Sequence, residues 1–346
     1  MEKIEGILKS KIESFISSKK SVRRDKVIDV FKRRYLIPPR MIDVVNYPRK
    51  PVAVFNPGAL LKDGKVYVFP RLVFDYYKYV SSIGVFEIDL EDLLLGKLES
   101  RESIEVKIIL WPQHLWEFLG CEDPRVMGNG EKIYMVYTGK GNTDDEKKKR
   151  DVVGFAKFDG KFNLIFKEHL KICNGMETFY PKSVKDSAFV RIENDEAVIL
   201  TRIHLNDHLL GWVGRCDMDK STIIADSLKP VLAPEDWETK VGWSTNVVKI
   251  SDGEYLVGWH SVLKRDLSYR NGFAIINDRG DLVSISDYML VPTGLQEEYG
   301  DRALVIFGDG LIRYENFLIW IGGVGDYAIG VFIADFDNVI RNMRDL

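Results

Sequence analysis

The spacing of apolar positions changes once along the chain, at about residue 50. Before that point, Ile4, Leu8 and Ile12 recur at the spacing of one face of an α-helix, and a second apolar stripe follows at 27–31. A proline pair then ends helix formation. Residues 1–40 are therefore predicted to form one or two amphipathic helices, whose apolar faces need the body of the protein or another subunit to cover them.

After residue 51 the apolar positions alternate as in β-strands, and the pattern repeats five times. Each repeat is an apolar alternation, usually split by a DG, NG or ND hairpin turn, followed by a β segment with a glycine and a closing acidic residue. The glycines of the five repeats, separated by 70, 60, 58 and 58 residues, are Gly84, Gly154, Gly214, Gly272 and Gly330. The pattern predicts an all-β fold, a five-bladed β-propeller over residues 41–346, behind an α-helical extension over residues 1–40.

Two other architectures compete with the propeller. A two-sheet β-sandwich would explain the strands if the periodicity were accidental, and the sequence leaves this alternative open. A parallel α/β fold is disfavoured because no helical segments alternate with the strands.

A short polar cluster precedes each apolar alternation. The clusters are FNPG (55–58), CEDPR (121–125), YPKS (180–183), GWSTN (242–246) and YGDR (299–302). In a propeller blade the innermost strand comes first, so the residues that lead into it surround the central channel. The five clusters are therefore predicted to converge on one axial pocket.

Acid catalysis needs a carboxyl group whose surroundings hold its proton. Glu122 and Asp123 stand at the start of a predicted strand, close to Arg125. Neighbours in a strand point to opposite sides, so one carboxyl group faces the channel while Arg125 can pair with the other. The alternative is a structural ion pair that anchors a blade.

Cations stand at matching places in the repeats. Arg71, Arg202 and His260 lie near the ends of predicted second strands, and Lys182 lies in the third polar cluster. Guanidinium groups bind oxyanions in a bidentate manner and lysine adds a point charge, so this set predicts a phosphate or anion site. The alternative for each cation is a salt bridge with one of three carboxylates, Asp301, Asp326 or Glu177.

Aromatic side chains can pack against the apolar C–H faces of a sugar ring. Five of them lie near the polar clusters: Trp243, Trp259, Tyr269, Tyr137 and Tyr180. Because alternating aromatics inside strands usually belong to the core, Trp243 and Tyr180 are the stronger candidates for contact with a sugar.

Composition narrows the class of function. A net charge of -3 over 346 residues carries no bulk signal for nucleic-acid binding. Three distant cysteines make neither a disulfide framework nor a zinc signature, and His204 with His208 lacks a third ligand, so we expect no metal site. The sequence shows no secretory signal and no apolar run of membrane length, so we expect a cytoplasmic protein that binds neither nucleic acid nor membrane.

These residues belong to motifs that resemble those of glycoside hydrolase family 130, the β-mannoside phosphorylases and related mannosidases. The motifs, spanning roughly residues 52–337, are FNPGAL, EDPRV with YMVYTGKGN, YPKS with the TR at 201–202, GWH at 258–260, and YGDRALVIF with IGGVGD. The resemblance implies a five-bladed propeller without a cofactor, in which inorganic phosphate is a co-substrate. It also implies inverting phosphorolysis of a β-mannoside, such as mannobiose or a short manno-oligosaccharide, to α-mannose 1-phosphate.

The resemblance implies roles for individual residues as well. Asp123 is the expected general acid, donating its proton to the glycosidic oxygen through the 3-hydroxyl of the mannosyl residue. The expected phosphate-binding residues are Arg71, Lys182, Arg202 and His260. The expected substrate-binding residues are Asn56, Glu122, Arg125, Tyr137, Tyr180, Trp243, Asp301 and Asp326.

Two further functions stay open at this point. An inverting β-mannosidase would use water, with Glu177 or Asp301 replacing part of the phosphate site. A non-catalytic carbohydrate-binding propeller would bind sugar without turnover. Since the N-terminal segment is similar to helices through which some family members oligomerise, the expected partners are a small carbohydrate and further copies of this chain.

Overall fold

The computed structural model describes residues 2–143, 148–175 and 177–346. Most of these residues lie in β-strands, so the prediction of a mostly β protein is confirmed. The α-helices in this part of the chain are α1 (Glu2–Ser17), α2 (Leu90–Leu94), α3 (Leu295–Glu298) and α4 (Phe336–Arg341). Short 3₁₀ helices lie at Pro39–Met41, Lys97–Ser100, Leu115–Glu117 and Ala225–Ser227.

The β-strands account for the alternating apolar pattern. Those of the first half are β1 (Phe31–Ile37), β2 (Ile42–Val44), β3 (Ala53–Lys62), β4 (Lys65–Val73), β5 (Ser81–Asp89), β6 (Ile104–Leu110), β7 (Gly120–Asn129), β8 (Lys132–Asn142), β9 (Lys149–Phe158), β10 (Leu164–Asn174) and β11 (Glu177–Phe179). Those of the second half are β12 (Ser183–Glu193), β13 (Glu196–Leu205), β14 (His208–Asp217), β15 (Thr222–Ile224), β16 (Lys229–Leu232), β17 (Glu238–Ser251), β18 (Glu254–Leu263), β19 (Tyr269–Asn277), β20 (Leu282–Ser286), β21 (Ile306–Tyr314), β22 (Phe317–Val324), β23 (Ala328–Asp335) and β24 (Met343–Asp345).

The described strands are joined into four sheets. One runs in the order β2-β6-β5-β4-β3, a second β17-β18-β19-β20-β24 and a third β1-β23-β22-β21. The fourth has ten strands and contains two successive antiparallel meanders, which start at β7 and β12. Within it, a parallel bridge between Ser183 and Asp151 closes β9, β10, β15, β14, β13 and β12 into a six-strand ring.

The repeats in the sequence correspond to antiparallel meanders whose first strands are β3, β7, β12, β17 and β21. These first strands pack side by side, with β7 between β3 and β12, β17 between β12 and β21, and β21 against β3. Each repeat glycine lies in the third strand of its meander. At Gly154 a Cβ atom would lie 2.4 Å from the ring of Tyr137, so a larger residue would not fit there.

The N-terminal segment departs from its prediction after the first helix. Residues 31–37, which follow the second apolar stripe, form β1 and pair antiparallel with β23 near the end of the chain. Of the one or two amphipathic helices predicted for residues 1–40, the described residues form one, α1, and the second apolar stripe does not form another. Local periodicity could not reveal this strand, because its hydrogen-bonding partner lies at the other end of the sequence. The division of the chain into an extension and a catalytic domain at residue 40 stays a prediction.

Helix α1 packs its apolar face on its own chain. Ile4 and Leu8 are fully buried and Ile12 nearly so, in a cluster with Trp212 and other residues of the third meander. Burial of such side chains contributes about 1.5–3 kcal/mol each. The predicted homo-oligomer stays a prediction, but this face of α1 is already covered within one chain. None of the helices in the described ranges has both the length and the apolar character required to cross a bilayer.

A buried ion pair fixes the segment between α1 and β1. Arg23 and Glu238 have fully buried side chains with 2.5 Å between Nη2 and Oε2. Tyr288 donates a hydrogen bond to the same carboxylate, and Glu235 accepts from the backbone N–H groups of Val22 and Arg23. Since both charges lie away from water, loss of either partner would leave the other uncompensated.

Candidate functional site

The first strands of the five meanders share an irregularity. The strand register shifts in each of them, at Phe55/Gly58, Glu122/Arg125, Lys185/Ala188, Trp243/Val247 and Gly308/Gly310. Such bulges redirect a side chain out of the regular pleat. The polar residues within these bulges include Asn56, Asp123, Asp186, Thr245 and Asp309.

Three of these positions have a left-handed backbone. The φ angles of Asn56, Asp123 and Asp186 are 42°, 53° and 54°. Asparagine and aspartate tolerate this region better than other non-glycine residues, although it still costs on the order of 1–3 kcal/mol. This conformation therefore restricts the choice of residue at equivalent places in three meanders.

Asp123 is held by residues from the first meander. Its Oδ1 accepts a hydrogen bond of 2.9 Å from Asn56 Nδ2 and one of 3.3 Å from Arg71 Nη1. Among the described residues, none donates to Oδ2. The carboxyl group is thus oriented through one oxygen, with 12% of the side chain still exposed to solvent.

Glu122, the residue before Asp123, is surrounded by cations. Arg71 Nη2 lies 2.8 Å from its carboxylate, and Lys185 and Lys140 lie 3.5 and 3.6 Å away. Burial alone would raise the pKa of Glu122, but the three cations outweigh burial and lower that pKa to about 2. Glu122 is therefore ionised at neutral pH. The expectation that Arg125 would pair with it is wrong, because Arg71 takes that place.

Arg125 instead connects the meanders at their centre. Its guanidinium donates to the carbonyl oxygens of Asp123 and Ser244, at 2.8 Å each, and lies 2.8 Å from the Asp309 carboxylate. Asp309 is fully buried, and burial raises its pKa well above the ordinary range. Nearby Asp123 and Asp186 raise this pKa further, against the opposite effect of Arg125.

Asp186 brings two predicted phosphate ligands together. Arg202 Nε donates to Asp186 Oδ2, and His260 Nε2 lies 3.7 Å from the same oxygen. Burial would raise the pKa of Asp186, but Arg202, His260 and Arg125 lower it well below its usual value. His260 is fully buried, and burial lowers its pKa well below 6.5, so this residue is neutral rather than cationic at pH 7.

A basic pocket of about 500 Å³ opens beside these residues. The cations that line it are Lys140, Lys149, Arg150, Lys182, Lys185, Arg202 and Lys240. Two of the predicted phosphate ligands, Lys182 and Arg202, therefore share one cavity. The other two do not line it, since Arg71 is paired with Glu122 and Asp123, and His260 lies behind Asp186.

Lys240 is the most perturbed cation of the basic pocket. Its Nζ donates a 2.7 Å hydrogen bond to the hydroxyl of Tyr269, whose ring stacks on His260 at 5.5 Å. Burial, followed by repulsion from Arg202, lowers the pKa of Lys240 to about 7. A bound anion would favour its protonated form.

The structure does not bring the three predicted aromatic contacts to Asp123. Trp243 is fully buried in the core and donates to a backbone carbonyl, so its ring offers no face to a sugar. Tyr137 is buried and donates to Glu117. The ring of Tyr180 lies against His169, at 6.2 Å between centroids. For Trp243 and Tyr137, which lie in β17 and β8, the alternation in strands reflects core packing.

The two predicted aspartates of the last meander lie in different surroundings. Asp301 is exposed and belongs to a separate surface cavity. Asp326 has a φ of 52° and is half-buried; burial raises its pKa, while Arg71 opposes this and Asp123 adds to it. Of these two aspartates, only Asp326 interacts electrostatically with both Arg71 and Asp123.

Sequence analysis missed Lys185, Asp186 and Asp309. The third polar cluster was placed at YPKS and the fifth at YGDR, whereas the equivalent bulges are at KDSA (185–188) and GDG (308–310). Asp186 and Asp309 are followed by serine and glycine, so the dipeptides Asn56-Pro and Asp123-Pro offer no signal that would have located them. No three His, Cys, Asp or Glu side chains in the described ranges are arranged to hold a metal ion.

Comparison with known proteins gives consistent matches. A family model of glycoside hydrolase family 130, described as beta-1,4-mannooligosaccharide phosphorylase, matches residues 21–345. A beta-1,2-mannobiose phosphorylase from Thermoanaerobacter sp. (strain X514) is 24% identical over 310 residues, which cover 83% of this chain and 91% of that protein.

Two solved structures share the fold. The beta-1,2-mannobiose phosphorylase of Listeria innocua, solved with beta-1,2-mannobiose, has a TM-score of 0.65 and 17% identity, covering 91% of this chain and 99% of that chain. A second structure has a TM-score of 0.65 and 15% identity, covering 83% of this chain and 85% of that chain. It comes from work on the GH130 family of mannoside phosphorylases, which contains glycoside hydrolases that target beta-1,2 mannosidic linkages in Candida mannan.

Proposed function

The chain belongs to glycoside hydrolase family 130, and from this premise we propose that it cleaves a β-mannoside by inverting phosphorolysis to give α-mannose 1-phosphate. Membership makes it a glycoside phosphorylase or a glycoside hydrolase acting in carbohydrate metabolism. Inorganic phosphate is the co-substrate of the phosphorylases in this family. The proposed substrate is mannobiose or a short manno-oligosaccharide.

The proposed scaffold is a five-bladed β-propeller. Support comes from the meanders that start at β3, β7, β12, β17 and β21, and from the cyclic packing of these first strands. Equivalent bulges then face one axis, which explains why residues far apart in sequence meet around Asp123. In this arrangement β1 completes the last blade with a strand from the other end of the chain.

The orientation of Asp123 carries the proposed mechanism. Asn56 and Arg71 hold Oδ1, so Oδ2 is the oxygen that donates a proton toward the glycosidic bond. General acid catalysis by one positioned group contributes roughly 10²–10⁴-fold to rate. Phosphate attacks the anomeric carbon from the opposite face, so no second protein carboxylate is required as base.

The phosphate occupies the basic pocket in this proposal. Lys182 and Arg202 bind it, and Lys185 and Lys240 add positive charge from the same walls. Arg71 orients the carboxyl groups of Asp123 and Glu122 instead of lining the pocket. His260, neutral and in contact with Asp186, positions the Asp186–Arg202 pair.

The sugar contacts are proposed around Asp123. The Oδ1 atom of Asn56 is buried without a hydrogen-bond partner and can accept from a sugar hydroxyl. Asp326, with its raised pKa, and Glu122 both interact electrostatically with Arg71 and complete the proposed set of polar contacts. Arg125 keeps the Asp123 backbone in place. We assign the reaction to the cytoplasm, where phosphate is plentiful and a charged sugar product is retained.

The test is an assay in both directions. Purified protein is incubated with α-mannose 1-phosphate and a panel of acceptor sugars, and with β-mannosides plus phosphate. Asp123→Asn should reduce turnover at least 100-fold, in line with the loss of a general acid, about 10²–10⁴-fold. Asp195→Asn is the matched control, because Asp195 also has a left-handed backbone but lies in an exposed turn. Full activity of Asp123→Asn would refute the assignment.

Hydrolysis is the second candidate, and a specific observation favours it. Arg202 and Lys185 of the basic pocket are already paired with Asp186, Glu122 and Asp151, so phosphate must compete with these carboxylates. A hydrolase would release mannose from β-mannosides in phosphate-free buffer and form no sugar phosphate. A phosphorylase would be inactive in that buffer.

A further inference from the structure

A second cavity lies on the first meander, outside the group around Asp123. It is bounded by the 74–80 loop between β4 and β5 and by the chain that follows β6, and its volume is about 590 Å³. Four of its lining residues are aromatic: Tyr47, Phe74, Tyr77 and Trp111. We call this cavity the aromatic groove.

The rings of the aromatic groove are unusually exposed. Tyr77 is 90% exposed, Trp111 47% and Tyr47 41%. Tyr47 is braced edge-on against Phe74, with 4.7 Å between ring centroids. Large rings left in water at a concave surface favour a ligand that covers them.

The polar atoms of the aromatic groove suit a neutral ligand with hydroxyl groups. Ser82 is 7% exposed, lines the cavity, and its Oγ has no hydrogen-bond partner. The charged lining residues are Arg49, Asp75 and Lys78; Arg49 and Asp75 lie 4.0 Å apart and offset each other, so the groove carries little net charge. This differs from the basic pocket, where cations dominate. A pyranose offers both requirements, an apolar C–H face for the rings and hydroxyl groups for Ser82.

Residues next to the aromatic groove contact the residues around Asp123. Tyr76 of the 74–80 loop stacks on Tyr79 at 6.0 Å, and the ring of Tyr79 lies 5.5 Å from the Arg71 guanidinium. On the other side, Ser81 of the groove donates a 3.0 Å hydrogen bond to the carbonyl of Cys121, two residues before Asp123. The 74–80 loop and the start of β5 therefore contribute residues to both places, which makes the groove and the group around Asp123 neighbours on the first meander.

We infer that the aromatic groove binds the distal sugar units of a neutral β-mannoside chain whose reacting linkage lies at Asp123. This inference rests on the proposed function and adds to it a preference for substrates longer than the disaccharide. Trp111 and Tyr77 provide the stacking surface, and Ser82 fixes one hydroxyl group.

The experiment compares chain lengths. Isothermal titration calorimetry in phosphate-free buffer measures binding of β-1,2- and β-1,4-linked mannobiose, mannotriose and mannotetraose to the full chain. The wild type should bind the tetraose more tightly than the biose. In Trp111→Ala, loss of one stacked ring should weaken tetraose binding by roughly 3- to 10-fold while mannobiose binding stays unchanged.

Two further variants make the test specific. Tyr77→Ala, at a 90% exposed position, should reproduce the effect of Trp111→Ala without risk to folding. Tyr314→Ala, which removes another exposed tyrosine at the end of β21, should keep the preference for longer chains. Equal affinity of the wild type for biose and tetraose, or an unchanged preference in both groove variants, would overturn the inference.

The inference and the proposed function fail in different ways. Mannose 1-phosphate formation from mannobiose and phosphate is measured in parallel on each variant. If mannobiose is phosphorolysed but longer chains bind no more tightly than mannobiose, the groove assignment is refuted and the proposed function stands. If no β-mannoside gives mannose 1-phosphate, the phosphorylase proposal is refuted. The calorimetric comparison of chain lengths then still tests whether the groove binds sugar.

Discussion

Replacement of Glu122 by glutamine should destabilise the protein in a pH-dependent way. Burial would raise the pKa of Glu122, but Arg71, Lys185 and Lys140 lower it from 4.5 to about 2. At about 1.36 kcal/mol per pKa unit, the ionised carboxylate contributes roughly 3 kcal/mol to the free energy of unfolding at pH 7. Glutamine has nearly the same shape but resembles the protonated form, so Glu122→Gln should lose this contribution.

The sign follows from the lowered pKa. The stabilisation is fully present above the unfolded-state pKa of about 4.5 and disappears as the pH falls toward the folded-state pKa of about 2. The difference between wild type and variant should therefore shrink to about 1.5 kcal/mol at pH 3. Urea denaturation followed by tryptophan fluorescence at pH 7 and pH 3 measures both values.

Glu87→Gln is the matched control. Glu87 pairs with Lys65 through exposed side chains, so its replacement should leave the free energy of unfolding nearly unchanged at both pH values. A Glu122→Gln variant as stable as the wild type at pH 7 would refute the electrostatic reasoning. An equal decrease in the free energy of unfolding at pH 7 and pH 3 would instead indicate that the effect comes from packing.

Two other predictions concern buried charges. Lys240→Met should raise the free energy of unfolding at pH 7 by up to about 4 kcal/mol, because a pKa lowered to about 7 means that folding opposes the lysine charge. This gain in stability should vanish as the pH rises toward 10.5. Urea denaturation that shows no gain at pH 7 would contradict the prediction. Arg23→Met should lower the free energy of unfolding by about 3–5 kcal/mol, because Glu238 is left buried without its cation. The double variant with Glu238→Gln should recover part of this loss in the same assay. If it recovers nothing, the ion pair is excluded as the cause.

The strands could be predicted because they leave a local signal. Apolar alternation and hairpin dipeptides predicted the meanders, and the repeat glycines lie in their third strands. The strand β1 left no such signal, since its sequence FKRRYLI does not alternate cleanly and its pairing with β23 depends on the whole fold. Long-range pairing of this kind is decided by tertiary structure rather than by the segment itself.

The group around Asp123 could be predicted only in part. Asn56, Asp123 and Arg125 were found because they belong to polar clusters that directly precede an apolar alternation. Asp186 and Asp309 were missed because the clusters chosen in the third and fifth repeats, YPKS and YGDR, lie before the bulges. The aromatic residues misled the prediction because ring direction depends on packing that a strand pattern does not encode.

The carboxyl groups at the centre of the fold differ in their electrostatic surroundings. Glu122 and Asp186 have lowered pKa values because each faces several cations, whereas Asp309 and Asp326 have raised pKa values because burial outweighs their cations. Groups whose surroundings separate their pKa values can hold charge and proton at different places in one site. Asp123 contacts both sets of residues: it accepts a hydrogen bond from Arg71, which also pairs with Glu122, and it contributes to the raised pKa of Asp309. The bulges of the second, third and fifth meanders thus bring together carboxyl groups with different electrostatic surroundings, and the acid proposed for the reaction lies among them.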